Sequence, residues 1–197
     1  GSQVSPDHAH LSLILRLCYI LIFCVGGYLL NPSRLWLKRY LLFGIPIAVL
    51  ASIESLGWIS SRSDIIVNCL VLALQVHLLQ AIFSHVLFRE HTTPLSKILG
   101  GICGYLVLGL MFASIYTVIL IFDPKAISPL QNSALDASEL IYYSLVTLTT
   151  LGYGDIVAIS PTARILSALE AIAGNLYLAI LVSTLASQFL FKGRRSE

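Results

Sequence analysis

The sequence predicts an all-α membrane protein. Three observations lead there: 57% of the 197 residues are hydrophobic and only 11% charged, the mean hydropathy is +0.87, and apolar stretches as long as a bilayer is thick recur along the chain. A soluble domain of average usage carries about twice that share of charge. A spanning helix needs about 20 mainly apolar residues to cross a hydrocarbon core of roughly 30 Å. Residues 40–60, 64–88, 98–122 and 163–191 meet that requirement and residues 11–30 supply a fifth stretch, so five transmembrane helices are expected.

Taken in order, residues 1–10 read as a tag remnant and N-terminal tail, because the opening Gly-Ser lacks an initiator Met and has the form of a cleavage scar. The natural chain is therefore expected to have been trimmed at its ends. Residues 11–30 favour spanning over lying along the inner interface, on length and apolarity, with Arg16 placed to snorkel. The second span contains Pro46, a possible kink position. The third carries Asn68 and Gln75 on one face and His77, Gln80 and Ser84 on the opposite face. Polar groups on both sides imply that protein surrounds this helix, chiefly through interhelical hydrogen bonds. Glu54 and His77 are the candidates if this accessory unit, residues 11–90, senses protons or an unidentified gating ligand.

Residues 91–197 form a second unit, with an outer helix at 98–122, a short helix at 138–149, a Gly-rich turn at 150–155 and an inner helix at 161–191. A helix of about 12 residues rises only roughly 18 Å, so 138–149 is too short to cross and reads as re-entrant. Ser138 is its expected N-cap, and Glu139 suits the first turn of the dipole. Pro161 suits the start of the inner helix.

Charge placement sets the orientation. Arg34, Lys38 and Arg39 lie between the first two spans, Arg89 and Lys97 between the third and fourth, and Lys192, Arg194 and Arg195 after the last. The positive-inside rule makes all three clusters cytoplasmic, with the N-terminus outside and the Gly-rich turn facing outward. A plasma (cytoplasmic) membrane location and lipid neighbours are expected. The net charge of +2 resides in short inner loops and gives no reason to expect nucleic acid. Cys18, Cys24, Cys69 and Cys103 show no paired metal spacing and read as small packing residues. No metal-spaced His/Asp cluster or nucleophile–base pair supports catalysis, so an enzyme is not expected. No segment repeats Arg or Lys every third residue, which argues against steep voltage gating.

Residues 149–155 read Thr-Thr-Leu-Gly-Tyr-Gly-Asp. This motif resembles the selectivity filter of pore-loop potassium channels, and with the helices around it the resemblance covers about half the chain, in a form similar to prokaryotic subunits with extra N-terminal helices. It implies a homotetramer around a central pore. There the carbonyls of Thr150, Leu151, Gly152 and Tyr153, with the Thr150 hydroxyl, would bind K⁺ in successive oxygen rings that replace its water. Pointing consecutive carbonyls the same way needs alternating backbone dihedrals, which makes Gly152 and Gly154 backbone requirements. Tyr153 would point away from the axis and Asp155 would mark the outer mouth. Leu151 stands where Val is commoner, which leaves its carbonyl unchanged. Tyr142, Tyr143 and Thr149 would support the filter, with Tyr142 a candidate donor to Asp155. Val146 stands where some bacterial relatives carry a glutamate.

In the inner helix, Gly174 resembles the family's glycine hinge and equally suits close helix packing, while Asn175 would face the cavity below the filter. Glu170 lies one turn earlier, where an ionisable group is costly unless paired, protonated or wet. One reading has it bracing the back of the pore through Thr147 or Thr149. The resemblance thus implies passive, selective K⁺ conduction without voltage sensing. The rival readings are a nonselective cation channel and a ligand- or pH-sensing receptor built on the first three spans.

Overall fold

A computed structural model describes residues 61–83, 94–130 and 135–193. Its elements are α1 (Ser61–Ile82), α2 (Pro94–Phe122), β1 (Ile127–Pro129), α3 (Ala137–Leu148), β2 (Ile156–Ala158) and α4 (Pro161–Gly193). The expected spans at 11–30 and 40–60, with Arg16, Pro46 and Glu54, lie outside the described residues, as does Ser84. Among the described residues, two helical segments are long and apolar enough to cross a membrane, Leu95–Phe122 with mean hydropathy 2.3 and Pro161–Ala186 with 1.9. The apolar part of α1 is shorter, Asn68–Ile82. Gln75 is 1% exposed, and among the described residues neither of its amide atoms has a hydrogen-bond partner.

Element ends differ from expectation for local reasons. The outer helix α2 starts at Pro94 rather than 98, because proline needs no N–H partner in a first turn. That start draws Lys97 into the helix, where it is 2% exposed instead of lying in a loop. The short helix α3 runs Ala137–Leu148 rather than 138–149, and its N-cap is Asp136, not Ser138. The Asp136 carboxylate accepts from the N–H groups of Ser138 and Glu139, each at 2.9 Å, and its charge favours the helix N-terminus more than a hydroxyl would. The inner helix α4 begins at Pro161 as expected and continues to Gly193, past residue 191. Ser160 caps it, accepting from Ala163 N–H at 3.2 Å.

The expectation of an all-α chain also needs correction. β1 and β2 form a two-stranded antiparallel ribbon, with Ile127 opposite Ala158, Ser128 opposite Val157 and Pro129 opposite Ile156. Turns lock both its ends. Ala126 N–H donates to the Asp123 carbonyl at 2.9 Å, and the Ala126 carbonyl accepts from Ile159 at 2.8 Å and Ser160 at 3.1 Å.

The core lies where α3 packs against α2 and α4, with Leu108, Phe112, Tyr116, Leu140, Tyr143, Leu148, Tyr177 and Leu181 among its buried members. α4 lays a seam on this core at Ala163, Ser167, Glu170, Gly174, Tyr177 and Leu181, of which only Ser167 is more than marginally exposed. Steps of four and three residues keep these positions on one helical face. Halfway along, the Tyr177 hydroxyl donates to the Gly101 carbonyl at 2.8 Å, and its ring meets those of Tyr105 and Phe83. The other side of α4 exposes Ile165, Leu169, Ile172 and Leu176, each more than half accessible. A continuous apolar stripe of this kind marks a surface that meets lipid or protein.

Candidate functional site at the end of the short helix

The turn after α3 folds back onto the helix that precedes it. Thr149 caps the C-terminus, its N–H donating to the Leu145 carbonyl at 3.1 Å and its hydroxyl to the same oxygen at 2.7 Å. Thr150 N–H donates to the Thr147 carbonyl at 2.9 Å, and the N–H groups of Leu151 and Gly152 both reach the Val146 carbonyl, at 2.9 and 3.4 Å. The turn therefore satisfies carbonyls that any helix leaves unpaired at its end, and is anchored by them in return.

Within the turn, φ is +59° at Thr150, +57° at Gly152 and +81° at Gly154. Leu151 and Tyr153 are not among the positive-φ residues, so the left-handed conformation recurs at every second position. A Cβ on either glycine would meet nothing within 4 Å. Their requirement is therefore dihedral rather than spatial. Thr150 is the addition that sequence reasoning missed: a side-chain-bearing residue in this region costs roughly 1–2 kcal/mol, a strain that clusters at functional positions. All residues from Thr149 to Asp155 are exposed in the single chain, Leu151 at 56% and Tyr153 at 67%.

The far end of the turn is tied down through Asp155. Its carboxylate accepts from the Tyr142 hydroxyl at 2.7 Å and from Ile156 N–H at 3.1 Å, while its carbonyl accepts from Leu130 N–H at 2.7 Å. The bond to Asp155, with that carboxylate's charge, pushes the Tyr142 phenol up to about 12. Tyr142 thus remains a donor throughout the ordinary pH range.

Behind the turn, Glu170 is 0% exposed and does not use Thr147 or Thr149. Its Oε2 accepts from the Tyr116 hydroxyl of α2 at 2.7 Å, and its Oε1 is hydrogen-bonded to Ser144 of α3. Thr149 faces its own helix instead. Ser144 also donates to the Gly109 carbonyl at 2.6 Å. Tyr143 stacks edge-on with Tyr116, centroids 5.1 Å apart, and its hydroxyl lies 2.6 Å from Ser167 Oγ. Gly174 is buried against the end of α3, where a Cβ would collide with the Leu148 carbonyl oxygen. That oxygen accepts from Tyr105 at 3.2 Å. Asn175 is exposed on α4. Ser144, Tyr116, Ser167 and Tyr105 are functional neighbours that the sequence reading did not single out. A polar Ser144 on the apolar face of a 12-residue helix was the available signal.

Comparison with known proteins converges on the same segment. Residues 102–191 match a family model described as ion channel. Over 87 residues the chain is 31% identical to the A-type voltage-gated potassium channel KCND3 of Rattus norvegicus, and equally to those of Homo sapiens and Oryctolagus cuniculus. The matched region is 44% of this chain and 13% of each relative. No solved structure matches the chain significantly. A short helix, a turn of alternating dihedrals and two long apolar helices agree with these matches in kind and position, and residues 102–191 are similar to an ion-channel family and, more distantly, to potassium channels.

Proposed function

We propose that this chain is the subunit of a homotetrameric, potassium-selective channel that conducts K⁺ passively and does not sense voltage. The observation that carries this reading is the left-handed backbone at Thr150, Gly152 and Gly154, on a turn seated at the C-terminal end of a helix too short to span. Around a fourfold axis, the carbonyls of Thr150, Leu151, Gly152 and Tyr153 supply successive oxygen rings that replace the hydration shell of the ion. One filter per chain calls for several copies to close the pore, and cyclic symmetry provides the closure. The exposed turn and the apolar stripe on α4 are then the surfaces that neighbouring copies cover, while lipid meets the outside.

Each supporting group has a role in this scheme. The carboxyl ends of four α3 helices present partial negative charge to the cavity and favour a cation there. Asp155 raises the local cation concentration at the mouth, and Asn175, below the filter, faces the water-filled path. The cytoplasmic ends of α2 and α4 follow from the basic residues beyond them, which puts the filter mouth outside a plasma membrane.

The test is the reversal potential of the purified protein in planar bilayers, first under a K⁺ gradient and then with K⁺ opposite Na⁺. A value near the K⁺ equilibrium potential, lost in Tyr153→Asp, supports the reading. Equal permeability to both ions in the unmodified protein replaces it with a nonselective cation channel.

A further inference from the structure

Glu170, Ser144 and Tyr116 come from three different helices, and each is 0% exposed. Counting their hydrogens constrains the state of the carboxyl group. Ser144 has one hydroxyl proton and two oxygen neighbours, the Gly109 carbonyl at 2.6 Å and Glu170 Oε1. A carbonyl can only accept. If Glu170 were a carboxylate, it too could only accept, and one of the two oxygens would face Ser144 Oγ lone pair to lone pair at hydrogen-bond distance. Such an unmatched contact is most costly where the surroundings are least polar.

The neighbouring hydroxyls cannot supply the missing proton. Tyr116 donates to Oε2 at 2.7 Å, closer than its 3.2 Å approach to Ser167. Ser167 donates to the Ala163 carbonyl at 2.8 Å, which leaves Tyr143 to donate to Ser167 at 2.6 Å. Every one of these protons is committed. Among the described residues no charged side chain bonds Glu170; the titratable groups facing it are Tyr116 from α2, Tyr105 from α2, which feels its charge without bonding it, and, one step away through Ser167, Tyr143 from α3.

We infer that Glu170 is a neutral carboxylic acid that donates from Oε1 to Ser144, whose own proton goes to the Gly109 carbonyl, so that a directed chain of hydrogen bonds joins α4, α3 and α2 behind the filter. Glu170 is a positioning residue: it touches no ion and acts by fixing the rotation of α3, whose last turn carries the filter. A buried neutral acid also avoids the expense of an unpaired charge at membrane depth. The positioning role rests on the channel function proposed above, whereas the protonation state stands without it.

Infrared spectroscopy of the full chain in lipid vesicles tests the protonation directly. The expected result is a protonated-carboxyl C=O band near neutral pH that disappears in Glu170→Gln and shifts in Ser144→Ala. Absence of that band from the unmodified protein overturns the inference. Glutamine reproduces the chain, with its NH₂ donating to Ser144 and its C=O accepting from Tyr116. Glu170→Gln should therefore retain K⁺ over Na⁺ preference, while Glu170→Ala, which leaves Ser144 and Tyr116 without their partner, should reduce it by about tenfold. If Glu170→Gln itself loses K⁺ over Na⁺ preference, the positioning role is wrong, and this outcome is readable even when the alanine variant does not fold. A protein that shows the band but lacks K⁺ preference would refute the channel reading and leave the protonation inference in place.

Discussion

Replacing Gly174 by alanine sets two known effects against each other. In a helix interior alanine is favoured over glycine by about 1 kcal/mol, so propensity alone predicts a gain. The new Cβ, however, would collide with the Leu148 carbonyl oxygen and lie 3.0 and 3.1 Å from Leu148 Cδ1 and Cγ. A backbone oxygen cannot rotate aside, and this one is held by Tyr105 at 3.2 Å, one residue before the cap at Thr149. The end of α3 would have to move, carrying the filter anchor with it. Overpacking costs about 1–3 kcal/mol, and a backbone obstacle belongs in the upper part of that range. Gly109→Ala is the matched control, because its Cβ would meet Leu145 Cδ2 at 2.8 Å, the free end of a side chain. Propensity is common to both variants and cancels in the comparison. Gly174→Ala should therefore be less stable than Gly109→Ala by about 2 kcal/mol, a gap of roughly 4–8 °C for a chain of this size. Circular-dichroism melting in detergent measures that gap, and the K⁺/Na⁺ permeability ratio should fall only in Gly174→Ala. Coincident melting curves with unchanged permeability would refute the packing argument and favour a hinge role for Gly174.

Two further substitutions probe the ties at either end of α3. Tyr142→Phe removes the donor to Asp155 Oδ2 while keeping the ring; currents should decay several-fold faster during sustained opening, and an unaltered time course would show that Leu130 and Ile156 suffice to hold the mouth. Asp136→Ala removes the acceptor for two N–H groups and should lower stability by about 1 kcal/mol, whereas Ser138→Ala should stay within about 0.5 kcal/mol of the parent. The reverse order in thermal melting would restore Ser138 as the cap.

The helices and the Gly-rich turn were legible because their signals are local. Apolar length identifies α2 and α4, the apolar run at 138–149 identifies a helix too short to span, and the paired glycines at 152 and 154 identify two of the positive-φ positions. The Thr150 dihedral was not legible, because no side chain at that position advertises strain. Asp136 and Ser138 are both good capping residues two positions apart, and only the backbone path decides between them. The partners of Glu170 were missed for a different reason. Tyr116 lies 54 residues away on another helix, and helical spacing gives the face a residue occupies but not what meets that face. Strands of three residues such as β1 and β2 are too short for alternation to appear.

The small ribbon behaves as a ruler between the loop that follows α2 and the Gly-rich turn. Pro129 stands opposite Ile156, and Leu130 N–H holds the carbonyl of Asp155 directly before it. Lengthening the chain beyond Leu130 adds slack that the pairing does not register. Lengthening it by one residue within Ile127–Pro129 slips the register, sends each side chain to the opposite face and draws on Asp155 or gives up its clamp. Two insertions only a few positions apart therefore differ in kind: one lengthens a tether, and the other retunes the end of the turn at Asp155.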